Sequence, residues 1–176
     1  MIYPVVLYGD PVLKKEAQDV DPDKVDIKEL VADMFETMYH EKGIGLSAIQ
    51  INVITRVITI DVSKERNEQL VLINPIITEK KDLIIFDEGC LSVPGFYEKV
   101  ERYNYITLEA NDVNGKKFTL DASELLAVCI QHEIDHLDGK LFVDYLSDMK
   151  RSKIEKGLLK QNNKSALHRK ENPYLK

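Results

Sequence analysis

Hydrophobic residues repeat at helical spacing near the beginning of the chain. Between residues 27 and 39 they follow one another at steps of three and four, and Gly43 comes shortly after the last of them: Ile27, Leu30, Val31, Met34, Phe35, Met38 and Tyr39. This stripe predicts an amphipathic helix that ends before the glycine.

Runs rich in β-branched and aromatic residues follow, and they predict strands. The runs cover residues 56–61, 70–74, 83–86, 100–110 and 116–120. Pro75 is expected to stop the second run, because proline cannot donate to a strand ladder. Asn114-Gly115 separates the last two runs and is typical of a hairpin turn.

A second helix is predicted after the last strand. Asp121 to Glu124 has the spacing of a capping box, and Gly139 lies where a left-handed residue would end the helix. One stripe of this helix carries Leu125, Val128, Cys129, His132 and His136. A terminal helix opens near Ser147. We therefore predict the α+β class, with mostly antiparallel sheets packed around a central helix and with a C-terminal helix.

The composition indicates an ordinary globular protein. The chain has 176 residues, of which 44% are apolar and 31% are charged, and this length suits a single domain. The first residues lack the basic start of a signal peptide, and no stretch is long and apolar enough to span a membrane. Two cysteines without a framework spacing fit a reducing compartment. We expect a cytoplasmic protein without a membrane partner.

Charge is distributed unevenly along the chain. Residues 150–176 contain nine Lys or Arg and two Glu, a net charge of +7, whereas the whole chain has −6 and residues 1–149 therefore −13. Residues 1–148 are predicted to form the main body of the domain, and 149–176 a basic helix and tail of the same domain. An acidic body argues against specific DNA binding, but a basic tail could contact a polyanion. A solvated helix followed by a frayed end explains the basic composition of residues 150–176 equally well.

The candidate chemistry lies in the second helix. His132 and His136 are four residues apart, so both imidazoles lie on one face and can bind one metal ion, with Glu133 beside them for proton transfer. Two histidines that are merely hydrogen-bonded in a core helix are the alternative. The intervening glutamate favours a metal hydrolase.

The third ligand decides the kind of hydrolase. A metzincin would have a third histidine at position 142, where this chain has Phe142. A thermolysin-like enzyme would use a later glutamate, and the one well-placed candidate, Glu155, falls in a lysine-rich stretch typical of a solvated helix face. His40 and His168 are isolated and are typical of surface histidines.

Cys90 is the remaining candidate ligand. It lies between Gly89, which lets the backbone approach closely, and the apolar Leu91. A small buried hydrophobe is the usual role of a free cysteine, and we expect that role for Cys129.

Three ordered segments resemble the motifs of bacterial peptide deformylases, and the resemblance extends over about the first 150 residues. They are Gly43-Ile44-Gly45-Leu46-Ser47-Ala48-Ile49-Gln50, Glu88-Gly89-Cys90-Leu91-Ser92 and Gln131-His132-Glu133-Ile134-Asp135-His136-Leu137. One departure is visible, because Ser47 stands where that family usually has alanine.

The resemblance implies a role for each matching residue. Cys90, His132 and His136 would be the metal ligands, and Glu133 the catalytic carboxylate. The side chain of Gln50 and the backbone N–H of Leu91 would donate to the developing oxyanion. The residues themselves indicate a substrate pocket, because Gly43 and Gly45 let the chain press close to the reacting carbonyl, and Leu125, Val128 and Cys129 share the stripe of His132. The expected substrate-binding residues are Gly43, Ile44, Gly45, Leu46, Glu88, Gly89, Leu125, Val128, Cys129 and His132. For the three apolar members of this set, plain core packing is an equally good explanation.

The resemblance also implies the reaction and the partners. The enzyme would remove formate from N-formylmethionyl nascent peptides, using one divalent metal ion. Iron(II) is implied in the cell, and Zn(II), Ni(II) or Co(II) could be bound after purification. The basic C-terminal segment would contact the ribosome.

Two other classes remain as alternatives. A zinc endopeptidase uses the same pair of histidines but normally has a different third ligand and a second domain. A non-catalytic metal-binding module would need a fourth protein ligand. The Cys and His nearest to the motifs are Cys129, expected to be a buried hydrophobe, and His40, expected to lie on the surface, so neither is a candidate for it.

Overall fold

The computed structural model describes residues 1–21 and 23–171. Within these residues there are three α-helices, α1 (Ile27–His40), α2 (Glu124–Leu137) and α3 (Asp148–Glu171). The five strands are β1 (Gly45–Ser47), β2 (Val57–Ile60), β3 (Leu70–Cys90), β4 (Val93–Asn111) and β5 (Lys117–Ser123). Short 3-10 helices cover Pro11–Lys14, Ala48–Ile51 and Phe142–Tyr145. Residues 172–176 of the predicted tail lie outside the described part.

All five strands form one antiparallel sheet in the order β1-β2-β3-β4-β5. The long hairpin of β3 and β4 closes at Leu91 and Ser92, because Cys90 pairs with Val93. A second hairpin joins β4 to β5 at the predicted turn, where Gly115 has φ +80°. The predicted α+β class, with an antiparallel sheet and a C-terminal helix, is confirmed.

The prediction that Pro75 stops a strand is wrong. Strand β3 runs through it, and the ladder with β4 shifts register between Ile73 and Ile76. Asn74 has φ +50° at this irregularity, and its N–H donates to the carbonyl of Arg56. The bulge places the proline where no ladder donor is needed, so the strand continues.

Helix α2 packs across the sheet as the central helix. Ten of its fourteen residues are buried, from Ala127 to Leu137 with Asp135 as the exception. The described residues form three core clusters, and the first of them fills the space between α2 and the sheet, with Ile58, Leu72, Leu108 and Ile130 among its members.

The start of α2 differs from the prediction. Residues 121–123 still belong to β5, where Asp121 pairs with Thr107 and accepts a hydrogen bond from its hydroxyl at 2.7 Å. Ser123 is the N-cap and makes no side-chain capping bond. The predicted capping box at Asp121 is therefore wrong, because cross-strand pairing takes that carboxylate away from the helix end.

The end of α2 agrees with the prediction. Gly139 has φ +75°, its N–H donates to the carbonyl of His136, and Lys140 N–H donates to that of Asp135. This is the pattern of a Schellman cap. The backbone of Lys14 lies against Gly139, and Ala17 N–H donates to Leu137 O at 2.8 Å. The amino-terminal segment thus packs on the end of the helix that carries the histidines.

Helix α3 begins at Asp148, close to the predicted start near Ser147. It buries Ile154 and Leu158 against a second core cluster that includes Leu13 and Phe142. The ring of Phe96 lies where a side chain at Gly157 would be, so the helix packs closely on β4. Among the described residues, no helix is both long and apolar enough to cross a membrane.

Candidate metal centre

Three possible ligand atoms converge where the end of β3 meets the last turns of α2. Cys90 Sγ lies 3.3 Å from His136 Nε2, and His136 Nε2 lies 3.2 Å from His132 Nε2. All three atoms are within 4.8 Å of one another. The structure therefore brings together the three predicted metal ligands, one from the sheet and two from the helix.

The donor set and its spacing fit a tetrahedral metal ion. Bonds of ~2.0–2.1 Å to nitrogen and ~2.3 Å to sulfur separate tetrahedral ligand atoms by roughly 3.3–3.6 Å. The two separations that involve His136 Nε2, 3.3 Å to Cys90 Sγ and 3.2 Å to His132 Nε2, are close to this range. Three protein ligands leave a fourth position for water or substrate, as in catalytic rather than structural sites.

The two imidazoles have different protonation tendencies. Burial by itself would lower the pKa of His132, but Cys90 and Glu88 raise it well above its usual value. Burial and the neighbouring His132 lower the pKa of His136 well below its usual value. With opposite shifts, the pair carries at most one positive charge, that is, one proton more than two neutral imidazoles. A bound cation would displace that proton, since a metal ligand must be neutral imidazole.

A buried network of charges fixes the ring of His132. Its Nδ1 lies 2.7 Å from Glu88 Oε1, so a neutral ring carries its proton there and presents Nε2 to the metal position. Arg102 donates to both oxygens of Glu88 and also to Asp135, to which Tyr145 donates its hydroxyl hydrogen. Burial alone would raise the pKa of Glu88, but Arg102 and His132 lower it below its usual value. Glu88 is therefore ionised as the partner of His132.

Glu133 lies beside the ligands in a dry environment. Burial raises the pKa of Glu133 to about 7. The positive charge of His132 lowers this pKa, and the negative charge of Glu88 raises it. Its Oε2 is buried without a hydrogen-bond partner among the described residues. A carboxylate whose pKa lies near neutrality can both accept and return a proton.

Gly45 gives Glu133 and Cys129 room. A Cβ at this glycine would lie 2.8 Å from Glu133 Oε1 and 2.8 Å from Cys129 Sγ, so no larger residue fits. The thiol of Cys129 is buried, and burial raises its pKa well above the usual value. Cys129 is therefore a neutral wall of the site.

Gln50 lies next to Cys90, one of the three predicted metal ligands. It lies in the 3-10 helix after β1 and is buried, and its Nε2 lies 3.6 Å from Cys90 Sγ and donates to Ser92 Oγ at 3.0 Å. Leu91 follows Cys90 in the hairpin turn, and its side chain packs against Gly43. Both predicted oxyanion donors thus lie next to the Cys90 ligand.

A cavity of about 480 Å³ opens onto this centre. Most of the predicted substrate-binding residues line it, namely Gly43, Ile44, Gly45, Glu88, Gly89, Leu125, Val128, Cys129 and His132. Leu46 is the exception, because its side chain is fully buried in a third core cluster with Met34 and Met38 of α1. A larger cavity of about 950 Å³ between residues 20–28 and 111–115 contains none of the predicted site residues.

Known proteins with similar sequences and structures point to one family. A sequence model described as polypeptide deformylase matches residues 2–152. A peptide deformylase of Pseudoalteromonas translucida is 52% identical over 157 residues, which is 89% of this chain and 94% of that protein. The chain belongs to the polypeptide deformylase family.

Solved deformylase structures have the same fold. A peptide deformylase from Legionella pneumophila, 42% identical, superposes with a TM-score of 0.90 over 94% of this chain and 98% of that one. One from Ehrlichia chaffeensis in complex with actinonin, 35% identical, gives 0.87 over 91% and 97%.

Membership confirms the predicted function. The chain is a hydrolase of protein biosynthesis that removes the N-formyl group from newly made polypeptides, and the endopeptidase alternative is not favoured. The deformylase family and the group of Cys90, His132 and His136 together support a divalent metal ion as cofactor.

Sequence reasoning missed the residues that support the deformylase site. Arg102 is the main example, with 4% of its surface exposed. A signal was available, because Val100, Arg102, Ile106, Leu108 and Ala110 all lie at inward positions of one strand. An arginine in such a row of apolar residues indicates a buried ion pair. Nothing in the local sequence indicates that Ser92 contacts Gln50.

Proposed function

We propose that this enzyme hydrolyses the formamide of N-formylmethionyl peptides at a divalent ion held by Cys90, His132 and His136, with Glu133 transferring the proton. The observation that carries the proposal is the convergence of a thiol and two imidazole nitrogens beside a buried carboxylate whose pKa is about 7. When bound, the ion supplies Lewis acidity at this point.

Glu133 performs both proton transfers. In its ionised form it accepts a proton from the water that attacks the formyl carbon. It then gives that proton to the amine nitrogen, which leaves poorly without it. Its position next to Gly45 keeps the carboxylate close to the reacting carbonyl.

Gln50 and Leu91 stabilise the oxygen that gains charge. Gln50 Nε2 donates one hydrogen to Ser92 Oγ at 3.0 Å and the other to Cys90 Sγ at 3.6 Å, and a developing oxyanion would take the second one from the weaker sulfur acceptor. The N–H of Leu91 is the other donor. Loss of one such donor typically costs about 2.7–4 kcal/mol of activation free energy.

The walls of the cavity select the substrate. Gly43 and Gly45 bring backbone close to the reacting centre, and the lack of space near Gly45 favours a formyl hydrogen over an acetyl methyl group. Leu125, Val128 and Cys129 provide an apolar wall for the methionine side chain.

Release of formate tests this function directly. The protein is purified without oxygen, its metal content is analysed, and formyl-Met-Ala-Ser is compared with acetyl-Met-Ala-Ser. Formate release with no acetate release is the expected result. Cleavage of an internal, unformylated peptide bond in place of formate release would contradict the proposal.

Iron(II) is the proposed ion in the cell. A cysteine ligand next to an open coordination position is exposed to oxidation, so we expect activity to decline in air as Cys90 is oxidised. The same protein loaded with Zn(II) is expected to last longer in air. Equal losses for both metals would argue against iron as the cause.

The proposed compartment is the cytoplasm, and the proposed macromolecular partner is the ribosome. Lys153, Lys156 and Lys160 of α3 are exposed. Removal of the whole helix would be a poor test, because it would uncover the cluster into which Ile154 and Leu158 pack. Replacement of the three lysines by glutamine keeps that packing.

The lysine variant should bind ribosomes more weakly but retain its activity on short peptides. The matched control replaces Lys28, Lys64 and Lys116, which are exposed elsewhere, by glutamine and removes the same charge. Unchanged ribosome binding by the α3 variant, or an equal loss in the control, would contradict a specific role for α3.

A further inference from the structure

The hydroxyl of Ser47 contacts the side chain of Gln50. Ser47 Oγ lies 3.2 Å from Gln50 Oε1, and the backbone N–H of Ser47 donates to the same oxygen at 3.0 Å. Both residues are buried, with 0% and 1% of their surfaces exposed. Because both residues are shielded from bulk solvent, their hydrogen bonds to protein atoms determine how the carboxamide is oriented.

Donor and acceptor chemistry permits only one orientation of the carboxamide. A backbone N–H can only donate, so the atom that faces Ser47 must be the oxygen of Gln50. The nitrogen then faces Ser92 Oγ at 3.0 Å and Cys90 Sγ at 3.6 Å. With Oε1 as an acceptor, the hydroxyl of Ser47 must donate to it, and this second bond favours the same orientation.

We propose that Ser47 is a positioning residue, which holds the Gln50 carboxamide with its N–H₂ group toward the reacting oxygen. The inference rests on the proposed role of Gln50 as an oxyanion donor. A flipped carboxamide would present an oxygen to a developing negative charge and would repel it. Ser47 therefore acts on the rate through Gln50 and does not touch the substrate.

The expected contribution is small but measurable. At 3.2 Å the hydroxyl bond is longer than most O–H···O bonds, and the backbone N–H bond remains when the hydroxyl is lost. We therefore expect Ser47→Ala to lower kcat about three- to tenfold, since one neutral hydrogen bond makes a modest net contribution. KM should change little, because the interaction matters mainly in the transition state.

Thr59→Val is the matched control. Thr59 is fully buried, it pairs with Leu46 next to Ser47, and its hydroxyl lies near Leu46 O and Met38 Sδ but has no contact with Gln50. The change removes one buried hydroxyl from the same region. We expect a small loss of thermal stability and an unchanged kcat.

A double-mutant cycle separates positioning from general destabilisation. Ser47→Ala and Gln50→Ala are made singly and together, with equal metal content confirmed for all four proteins. If Ser47 acts through Gln50, the hydroxyl loss lowers kcat in the wild-type background and has no effect in the Gln50→Ala background. Equal effects in both backgrounds would overturn the proposal, as would a wild-type kcat for Ser47→Ala.

The carboxamide can also be observed without turnover. The side-chain N–H₂ signals of Gln50 in the ¹⁵N spectrum report its order, and Ser47→Ala should make them broader or more mobile. Ser47→Thr, which retains the hydroxyl, should keep kcat closer to wild type than alanine does. Unchanged Gln50 signals in the alanine variant would contradict the proposal. A wild-type protein that releases no formate would instead refute the proposed function.

Discussion

Helices α2 and α3 pack against the rest of the molecule in very different ways. Ten of the fourteen residues of α2 are buried, whereas in the part of α3 with described side chains, residues 148–161, only Ile154 and Leu158 are buried. The first helix carries two of the three residues that could hold a metal ion, and the second carries exposed lysines. Helix α2 is densely packed, and it carries residues that need fixed positions. Helix α3 is mostly exposed, and its charged residues face outward.

The largest effect should come from α2 itself. Glu133→Ala should lower kcat by about 10²–10⁴-fold, because the proton-transfer group is lost. The metal content should remain near one ion per chain, since Glu133 is not one of the three converging ligand residues. Formate release and metal analysis on the same preparation measure both. A near-normal rate would remove Glu133 from the mechanism.

The charge network behind α2 can be compared with an ion pair on α3. Arg102→Met should lower the free energy of unfolding by about 3–5 kcal/mol, because it leaves Glu88 without its buried partner. Arg151→Met removes the exposed pair with Asp148, whose atoms are 3.9 Å apart, and should cost less than about 1 kcal/mol. Urea unfolding of both variants measures the difference. Equal losses would mean that burial does not distinguish the two pairs.

The attachment of α3 should affect stability without affecting catalysis. Leu158→Ala is expected to lower the free energy of unfolding by about 2–3 kcal/mol, since the side chain is 4% exposed in the second core cluster. Leu159→Ala, at a residue 62% exposed, should change it by less than about 0.5 kcal/mol. Neither should alter kcat. A lower kcat in the Leu158 variant would show that α3 is coupled to the metal centre.

The smallest expected effect is a pH dependence of stability. It comes from Asp61, which follows β2 and contacts Tyr39 of α1, away from both α2 and α3. Burial alone would raise the pKa of Asp61, but hydrogen bonds from Ser63 and Tyr39 lower it below its usual value of 3.8. The unfolded chain therefore binds this proton more readily than the folded protein. The stabilisation is present above about pH 4 and is lost as the pH falls further. The stability difference between wild type and Asp61→Asn should shrink over that range, and a constant difference would contradict the assignment.

The sequence predicted local features better than long-range ones. The stripe of α1, the histidine face of α2, its glycine cap and the hairpin at Gly115 depend on neighbouring residues, and all four are confirmed. The passage of β3 through Pro75 and the inclusion of Asp121 in β5 depend on pairing with β4, which is not visible in either segment alone.

The same distinction applies to the metal centre. His132 and His136 were identified from their spacing within one helix, and Cys90 through its motif. The support from Arg102 and the contact of Ser47 with Gln50 come from tertiary packing. The position of Arg102 in a row of apolar residues indicates a buried ion pair, but the sequence does not indicate that Glu88 is its partner.

The close approach of Lys14 to Gly139 has a consequence for changes at the amino-terminal end of the protein. The opening residues pack on the turn that follows His136, so removing residues 1–14 is expected to loosen one of the three residues that could hold the metal ion. Residues added before Met1 would replace the ammonium group that pairs with Asp33 and Glu36 of α1, but they would leave the contact between Lys14 and Gly139 in place. A purification tag should therefore be added before Met1 and should not replace the opening residues. Variants that lack the opening residues should be analysed for bound metal before any other property is measured.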